Sequence, residues 1–228
     1  MLTDLEWSAL RLSLIVATCS VAVSLPLAIG VAWLLERVRF RGKALADTIV
    51  HLPMVLPPVV IGYLLLLGFG VHGPIGAFLD RELGIRFAFT RAGAILATAV
   101  MTFPLIVRAV RLAMSSIDRG LEDAARTLGA GPVDRFVSVT LPLMMPGILS
   151  GAIVAFSAGL GEFGAVVTLV ANIPGQTQTL PLAIYAALQS PTGEQVAARL
   201  ATISFTLAFA GLFLSELLRR RVQQRLGR

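Results

Sequence analysis

The sequence predicts an all-α polytopic membrane protein with about five transmembrane helices, and three observations support this prediction. Hydrophobic residues make up 56% of the 228 residues and charged residues only 14%. The mean hydropathy of +0.84 is far above that of a soluble globular protein. The charges are bunched, which leaves long charge-free runs, and most of these reach the roughly 17 to 25 residues that a spanning helix needs.

The five predicted spans are 10–35, 48–69, 92–114, 141–161 and 196–218. The first is longer than the apolar core of a secretory signal and has no basic stretch before it, so we expect it to stay in the mature protein. No soluble domain is expected. The whole chain, 1–228, is predicted to be one transmembrane domain with its core at about 8–218.

The second span is expected to be bent or interrupted, because it contains Pro53, Pro57 and Pro58. Each proline removes a backbone donor, which a membrane tolerates only where protein or a water-filled cavity satisfies the freed carbonyl. We interpret the second span as a bent helix that lines a pathway, the alternative being a kink that serves packing alone. His51, near one end of the span, is expected to be a hydrogen-bonded side chain rather than a metal or proton site.

The third and fifth spans have charge-free runs, 92–107 and 200–215, that are slightly short for a bilayer. The long side chains of Arg108, Glu216 and Arg219 can reach the headgroups from these runs, so both are still predicted to span.

The fourth span carries Pro142 and Pro146 near its start. After it, the stretch TLPLAIYAALQS within 171–195 predicts a short helix lying at the membrane interface, with Tyr185 at headgroup level. The sequence leaves open whether 163–170 enters the membrane as a sixth segment.

The basic residues predict the orientation. Fourteen of the nineteen fall in 37–43, 108–135 and 219–228, which share one side of the membrane if five helices span. Cytoplasmic segments are enriched in Lys and Arg, so we expect an outer N-terminus and a cytoplasmic C-terminus. In such a protein the net charge of +6 indicates this orientation and no nucleic-acid partner.

Catalytic and metal chemistry are not expected of this chain. Its one cysteine, Cys19, lies inside the first span, and its two histidines are far apart in sequence. These residues do not provide the clusters that a metal site or a membrane enzyme needs. A glycine-rich phosphate-binding loop is also missing from the sequence, so we expect a non-catalytic subunit without a cofactor of its own.

A charged stretch, 118–142, separates spans three and four. Asp118 is suited to cap the start of a helix and Gly129 to end it, and Gly131 with Pro132 then begins a second helix. An apolar stripe with spacing i, i+3, i+4 and i+7 is formed by Leu121, Ala124, Ala125 and Leu128. A short capped helix with such a face is suited to a groove on another protein.

The same stretch resembles a known family. DAARTLG, nine further residues and VTLP are similar to the EAA loop of permease subunits of ATP-binding-cassette (ABC) importers. Asp123 stands where the family usually has Glu, and Val139 where it often has Ile; both differences are conservative. The matched positions are Asp123, Ala124, Ala125, Gly129, Val139, Leu141 and Pro142.

Two further segments, FRGKALADTIVHLPMVLPPVVIGYLLL and GLGEFGAVVTLVANIPGQTQTLPLAIY, resemble the permeases of molybdate importers in particular, with sulfate and thiosulfate permeases as near relatives. The resemblance implies a type-1 ABC transmembrane domain with a cytoplasmic coupling helix. The coupling residues that it implies are Leu121, Asp123, Ala124, Ala125, Leu128, Gly129, Leu141 and Pro142.

The resemblance also implies the partners. The chain would be one half of a homodimeric molybdate pathway in the bacterial inner membrane. Two ATPase subunits, which bind ATP and Mg²⁺, would lie on the cytoplasmic side, and a molybdate-binding protein would lie in the periplasm.

Pathway and gate residues are expected where the proline-rich second span and the GLGEFG stretch occur. The candidates are Pro57, Pro58, Gly161, Glu162, Phe163 and Gly164. In a homodimer two carboxylates facing a dianion would repel it. Glu162 is therefore expected to turn away from the dimer axis and to bind backbone donors or a cation, with Arg91 or Arg199 as candidate partners.

Two alternatives remain at this level. The residues do not distinguish molybdate from sulfate, thiosulfate or tungstate. A secondary transporter would show internal repeats and intramembrane carboxylates for ion coupling; the sequence has no repeat and a single acid, Glu162, near a membrane run.

Overall fold

The computed structural model describes residues 2–225, and the side chains of these except 119, 218, 219 and 222–225. Within this range the chain is helical, with a 3₁₀ turn at Leu52–Met54 and a π-helical segment at Phe136–Thr140. The α-helices are α1 Asp4–Arg37, α2 Lys43–His51, α3 Pro58–Phe69, α4 Pro74–Leu83, α5 Arg91–Ser115, α6 Arg119–Thr127, α7 Pro132–Arg135, α8 Leu141–Leu160, α9 Gly164–Val170, α10 Leu180–Leu188 and α11 Glu194–Arg225.

The predicted membrane-spanning helices are confirmed. In the described part of the chain, four helices are long and apolar enough to cross a bilayer, and a fifth crossing is possible if the bent pair of α2 and α3 forms one span. The four are Asp4–Arg37, Arg91–Ser115, Pro132–Leu160 and Glu194–Leu217. Helix α1 begins earlier than predicted because Thr3 and Glu6 form a capping box there.

The second predicted span is interrupted, as its prolines indicated. The helical segments Lys43–Met54 and Pro58–Phe69 meet at 112°, a far sharper change of direction than a proline kink. Helix α3 has 12 residues, so it is about 18 Å long and reaches only partway across a hydrocarbon core of about 30 Å.

The segment left open by the sequence, 163–170, forms helix α9. Its seven residues give a length of about 10 Å, too short to cross a bilayer. Helix α9 packs against α3 and α5, and its buried residues are Ala165, Val166, Leu169 and Val170. It is therefore a short helix buried in the bundle rather than a sixth span.

Small residues bring α5 and α8 close together. A Cβ placed on Gly147 would lie 2.3 Å from the Cβ of Ala113, and one on Gly151 would lie 2.7 Å from the Cβ of Ala109. The two glycines are four residues apart, which is the spacing that allows close helix approach in membranes. Helix α5 also packs along α1, so it lies at the centre of the bundle.

Helix α10 confirms the short helix predicted within 171–195, and its position at the membrane interface stays a prediction. Leu180 and Leu182 are fully buried, and the helix packs against α1 and α11. The backbone N–H of Leu180 donates to Ser13 Oγ at 2.7 Å. Helix α10 therefore packs against the bundle on one face, while Tyr185 on another face is 49% exposed.

Candidate functional site

Helix α6 has the caps that the sequence predicted. The Asp118 carboxylate accepts from the backbone N–H of Gly120 at 2.8 Å. At the other end Gly129 has φ of +89°, and the N–H of Ala130 donates to the carbonyl of Ala125 at 3.0 Å. The helix ends at Thr127, and the chain turns away at Gly129. Glycine adopts this left-handed conformation without a Cβ penalty.

The apolar stripe of α6 is uncovered. Leu121 is 49% exposed and Leu128 is 87% exposed. Ala124 and Asp123 are also exposed, and Ala125 is half-buried. The predicted stripe therefore forms a free surface at what we term the α6 end of the bundle, which comprises α2, α6, α7 and the C-terminal ends of α1 and α5.

Leu141 and Pro142 lie apart from this stripe. They form the first turn of α8, where Leu141 packs against the main core and Pro142 is exposed. The structure thus divides the predicted coupling residues between a surface helix and the start of a span. Gly131 caps α7 as predicted, and helix continues from Pro132 through the π segment into α8.

A polar junction joins these elements, and the sequence did not predict it. One carboxylate oxygen of Glu122, Oε1, accepts from Arg37 Nη2 at 2.7 Å and from Thr140 Oγ1 at 2.8 Å. Arg37 is the last residue of α1, and Thr140 is the last residue of the π segment. Glu122 therefore connects α6 to two different membrane helices.

A second ionic group lies at the same end. Arg111 on α5 donates to Asp47 Oδ1 at 2.5 Å and lies 3.6 Å from Glu36 Oε2. His51 Nδ1 is 2.9 Å from the carbonyl oxygen of Asp47 and 3.4 Å from its carboxylate. His51 is thus the hydrogen-bonded side chain that the sequence predicted, and the group ties α2 to α1 and α5.

The proline-rich break and the GLGEFG stretch meet in the structure. A Cβ on Gly164 would lie 2.7 Å from the Cβ of Pro58, so the N-terminal ends of α9 and α3 are in direct contact. The rings of Phe163 and Tyr185 are in contact, with centroids 5.2 Å apart and planes tilted by 54°. Gly161 ends α8, and Pro57 precedes α3. The predicted gate residues are therefore grouped around one helix break.

Glu162 is held by backbone donors, as expected, but the suggested arginine partners were wrong. Its Oε1 accepts from the N–H of Ala165 at 2.9 Å, which caps α9. Arg199 instead binds the buried carboxylate of Glu6 at 3.0 Å. Arg91 donates to the carbonyl of Gly175 at 3.1 Å. Both arginines lie at the end of the bundle opposite α6, where nearer acceptors satisfy them.

Within the described residues, the side chains do not assemble a metal site. No group of three or more His, Cys, Asp or Glu residues is placed to hold an ion. Cys19 is half-buried in α1. The arrangement consists instead of a helical bundle, an exposed capped helix at one end and a broken helix pair inside it.

Such an arrangement is that of a polytopic membrane protein, and its family consists of components of transport systems. The chain belongs to the family of binding-protein-dependent transport system inner membrane components, whose sequence model matches residues 10–226. The chain is 55% identical over 227 residues to the molybdenum transport system permease protein ModB of Escherichia coli (strain K12), covering 100% of this chain and 99% of that protein. It is 52% identical over 223 residues to ModB of Haemophilus influenzae, covering 98% and 97%.

A sulfate permease is more distant. The probable sulfate transport system permease protein cysT of Nephroselmis olivacea is 40% identical over 159 residues, which is 70% of this chain and 56% of that protein. The family match and the identities to the two ModB proteins confirm the resemblance predicted from the EAA-like loop and the two longer segments.

Solved structures show the same fold at low identity. A bacterial alginate ABC transporter in complex with an alginate-bound periplasmic protein has a TM-score of 0.76 at 18% identity, covering 96% of this chain and 80% of that one. The inward-facing MetNI methionine ABC transporter has a TM-score of 0.67 at 18% identity, covering 95% and 94%. The predicted ABC importer transmembrane fold is confirmed.

Proposed function

We propose that this chain is the permease subunit of an ATP-driven importer that carries molybdate across the bacterial inner membrane. The observation that supports this most strongly is the 55% identity over the full chain to a molybdenum transport permease. Identity of this extent covers both the exposed helix α6 and the helix break. The whole chain, 1–228, would act as one type-1 transmembrane domain.

The proposed assembly is a homodimer with two ATPase subunits and a periplasmic molybdate-binding protein. ATP and Mg²⁺ would be bound by the ATPases, and this chain would need no cofactor. The exposed stripe of Leu121 and Leu128 supports docking at the α6 end, because an uncovered apolar stripe on a short helix suits a groove on a partner. The remaining proposed coupling residues are Asp123, Ala124, Ala125, Gly129, Leu141 and Pro142.

In the proposed mechanism, closure of the ATPase dimer displaces α6 as a rigid element. The displacement enters α8 through the helix that runs from Pro132 to Leu160. Two packings of the bundle, open to opposite sides, would then alternate. The gate would lie where α3 and α9 meet, at Pro57, Pro58, Gly161, Glu162, Phe163 and Gly164.

The α6 end is proposed to face the cytoplasm, with the N-terminus outside. A reporter that is active only in the periplasm is expected to be inactive when fused after Arg228 and active when fused in the loop after α4, at Gly84. The reason is the excess of basic residues on the segments that share the α6 end. Periplasmic activity of the Arg228 fusion would contradict both the orientation and the docking of ATPases at α6.

Substrate choice is tested with the reconstituted complex. ATP hydrolysis is expected to rise when the binding protein is loaded with molybdate and to stay near its basal rate when the protein is offered sulfate. The similarity to a sulfate permease makes sulfate the second candidate. Stimulation by sulfate or thiosulfate but not by molybdate would reverse the assignment, and tungstate serves as the isosteric dianion control.

A further inference from the structure

We propose that Glu122 is the positioning residue through which α6 moves α1 and α8 together. Helix α8 follows because the Thr140 hydroxyl, directly before α8, donates to Glu122. The proposal rests on the function proposed above and adds a route for the displacement. A single oxygen of Glu122 accepts from Arg37 on α1 and from Thr140 before α8, at 2.7 and 2.8 Å. A shift of α6 therefore changes both contacts at once.

The junction is on the protected side of α6. The side chains of Glu122 and Arg37 are 21% and 16% exposed, and Thr140 is 4% exposed. The apolar stripe, by contrast, faces away from the bundle, with Leu128 87% exposed. Docking of a partner on the stripe would leave the Glu122 contacts in place. Partly buried charged hydrogen bonds are also stronger and less screened than bonds in water.

Thr140 uses its hydroxyl differently from several other threonines in helices. Its hydroxyl donates to Glu122 on another helix. The carbonyl four residues earlier in the same helix is instead the acceptor for Thr48, Thr102, Thr168, Thr202 and Thr206. A contact that leaves its own helix can transmit displacement, whereas a bond within one helix moves with it.

The contact with Glu122 is made at the end of the π segment, directly before α8. In Phe136–Thr140 the helix is widened, and the N–H of Leu141 donates to the carbonyl of Phe136, five residues earlier. The widened turn precedes Pro142, whose ring would clash with a carbonyl four residues earlier in a regular α-helix. A single π turn inside a helix is a local departure from α-helical geometry that often occurs at functional sites, and here it ends at Thr140, which contacts Glu122.

The test uses Thr140→Val, which keeps the side-chain volume and removes the hydroxyl. We expect the complex to retain its ATPase and its basal ATP hydrolysis, while molybdate uptake per ATP hydrolysed falls about tenfold, the equilibrium equivalent of about 1.4 kcal/mol. Thr140→Ser, which restores a hydroxyl, is expected to recover the ratio. Glu122→Gln keeps an acceptor oxygen and is expected to lose less than Glu122→Ala.

Ser138→Ala is the matched control, because Ser138 lies in the same π segment but bonds locally to Asp134 Oδ1 at 2.9 Å. It is expected to match the wild type. If Thr140→Val takes up as much molybdate per ATP hydrolysed as the wild type, the inference is overturned. The proposed function then still stands, provided that the wild-type complex retains its ATPase. Loss of ATPase binding in Thr140→Val would overturn it too, since Thr140 would then support docking. A wild-type chain that binds no ATPase would overturn the proposed function and the inference together.

Discussion

Gly129→Asp is expected to abolish ATPase retention and molybdate uptake while leaving the protein in the membrane. Gly129 has φ of +89°, where an L side chain costs roughly 1 to 2 kcal/mol. The new carboxylate would also lie beside Leu128, at the exposed end of the proposed docking face. Burying the new charge against a partner would cost docking about 3 kcal/mol, which weakens it roughly a hundredfold. Co-purification of the ATPase with the permease measures it.

Two variants separate the causes. Gly84→Asp places the same residue at a glycine that also follows a helix with positive φ, +64°, and has open space around it, but at the end of the bundle opposite α6. It is expected to retain the ATPase. Asn adopts this backbone conformation about as readily as Asp but carries no charge, so Gly129→Asn is expected to lose less. Full ATPase retention and uptake in Gly129→Asp would remove the basis for docking at α6.

Gly151→Leu is expected to prevent the bundle from assembling. Even the first carbon of the new side chain would lie 2.7 Å from the Cβ of Ala109, and both are on helix backbones that cannot rotate away. Separating α5 from α8 opens the central packing of the molecule, so the cost is about 3 kcal/mol, at the upper end of overpacking effects. The expected result is low accumulation in the membrane and a broad, early-eluting peak after detergent extraction.

Gly30→Leu is the control for this change. Gly30 lies within the long helix α1, and a Cβ placed there has nothing within 4 Å. The same substitution is therefore expected to leave accumulation close to that of the wild type. If both variants accumulated equally, the close approach of α5 and α8 would not be what the bundle depends on.

The sequence predicted the features that are decided locally. The long apolar runs predict α1, α5, α8 and α11 because crossing a bilayer requires length and hydropathy that can be read residue by residue. The caps at Asp118 and Gly129 follow from the conformations that those residue types favour.

Features decided by distant partners were missed. The contacts of Glu122 were not predicted, because its partner Arg37 lies 85 residues away in sequence. The burial of α9 and α10 was not predictable either, since an apolar helix face suits lipid and protein equally well. The prediction that Arg91 or Arg199 would bind Glu162 was wrong for the same reason. Proximity in the fold decides which acceptor an arginine binds, and charge alone does not predict it.

The packing of the two short helices α3 and α9 has a consequence for biogenesis. Helix α3 ends at Phe69, and α9 does not begin until Gly164. At about 5 to 20 residues per second, the ribosome needs roughly 5 to 20 seconds to make the intervening chain. During that interval α3 has neither the length to cross the bilayer nor the neighbour that closely covers Gly62. Its final packing against α9 must therefore wait until the second half of the chain has been made.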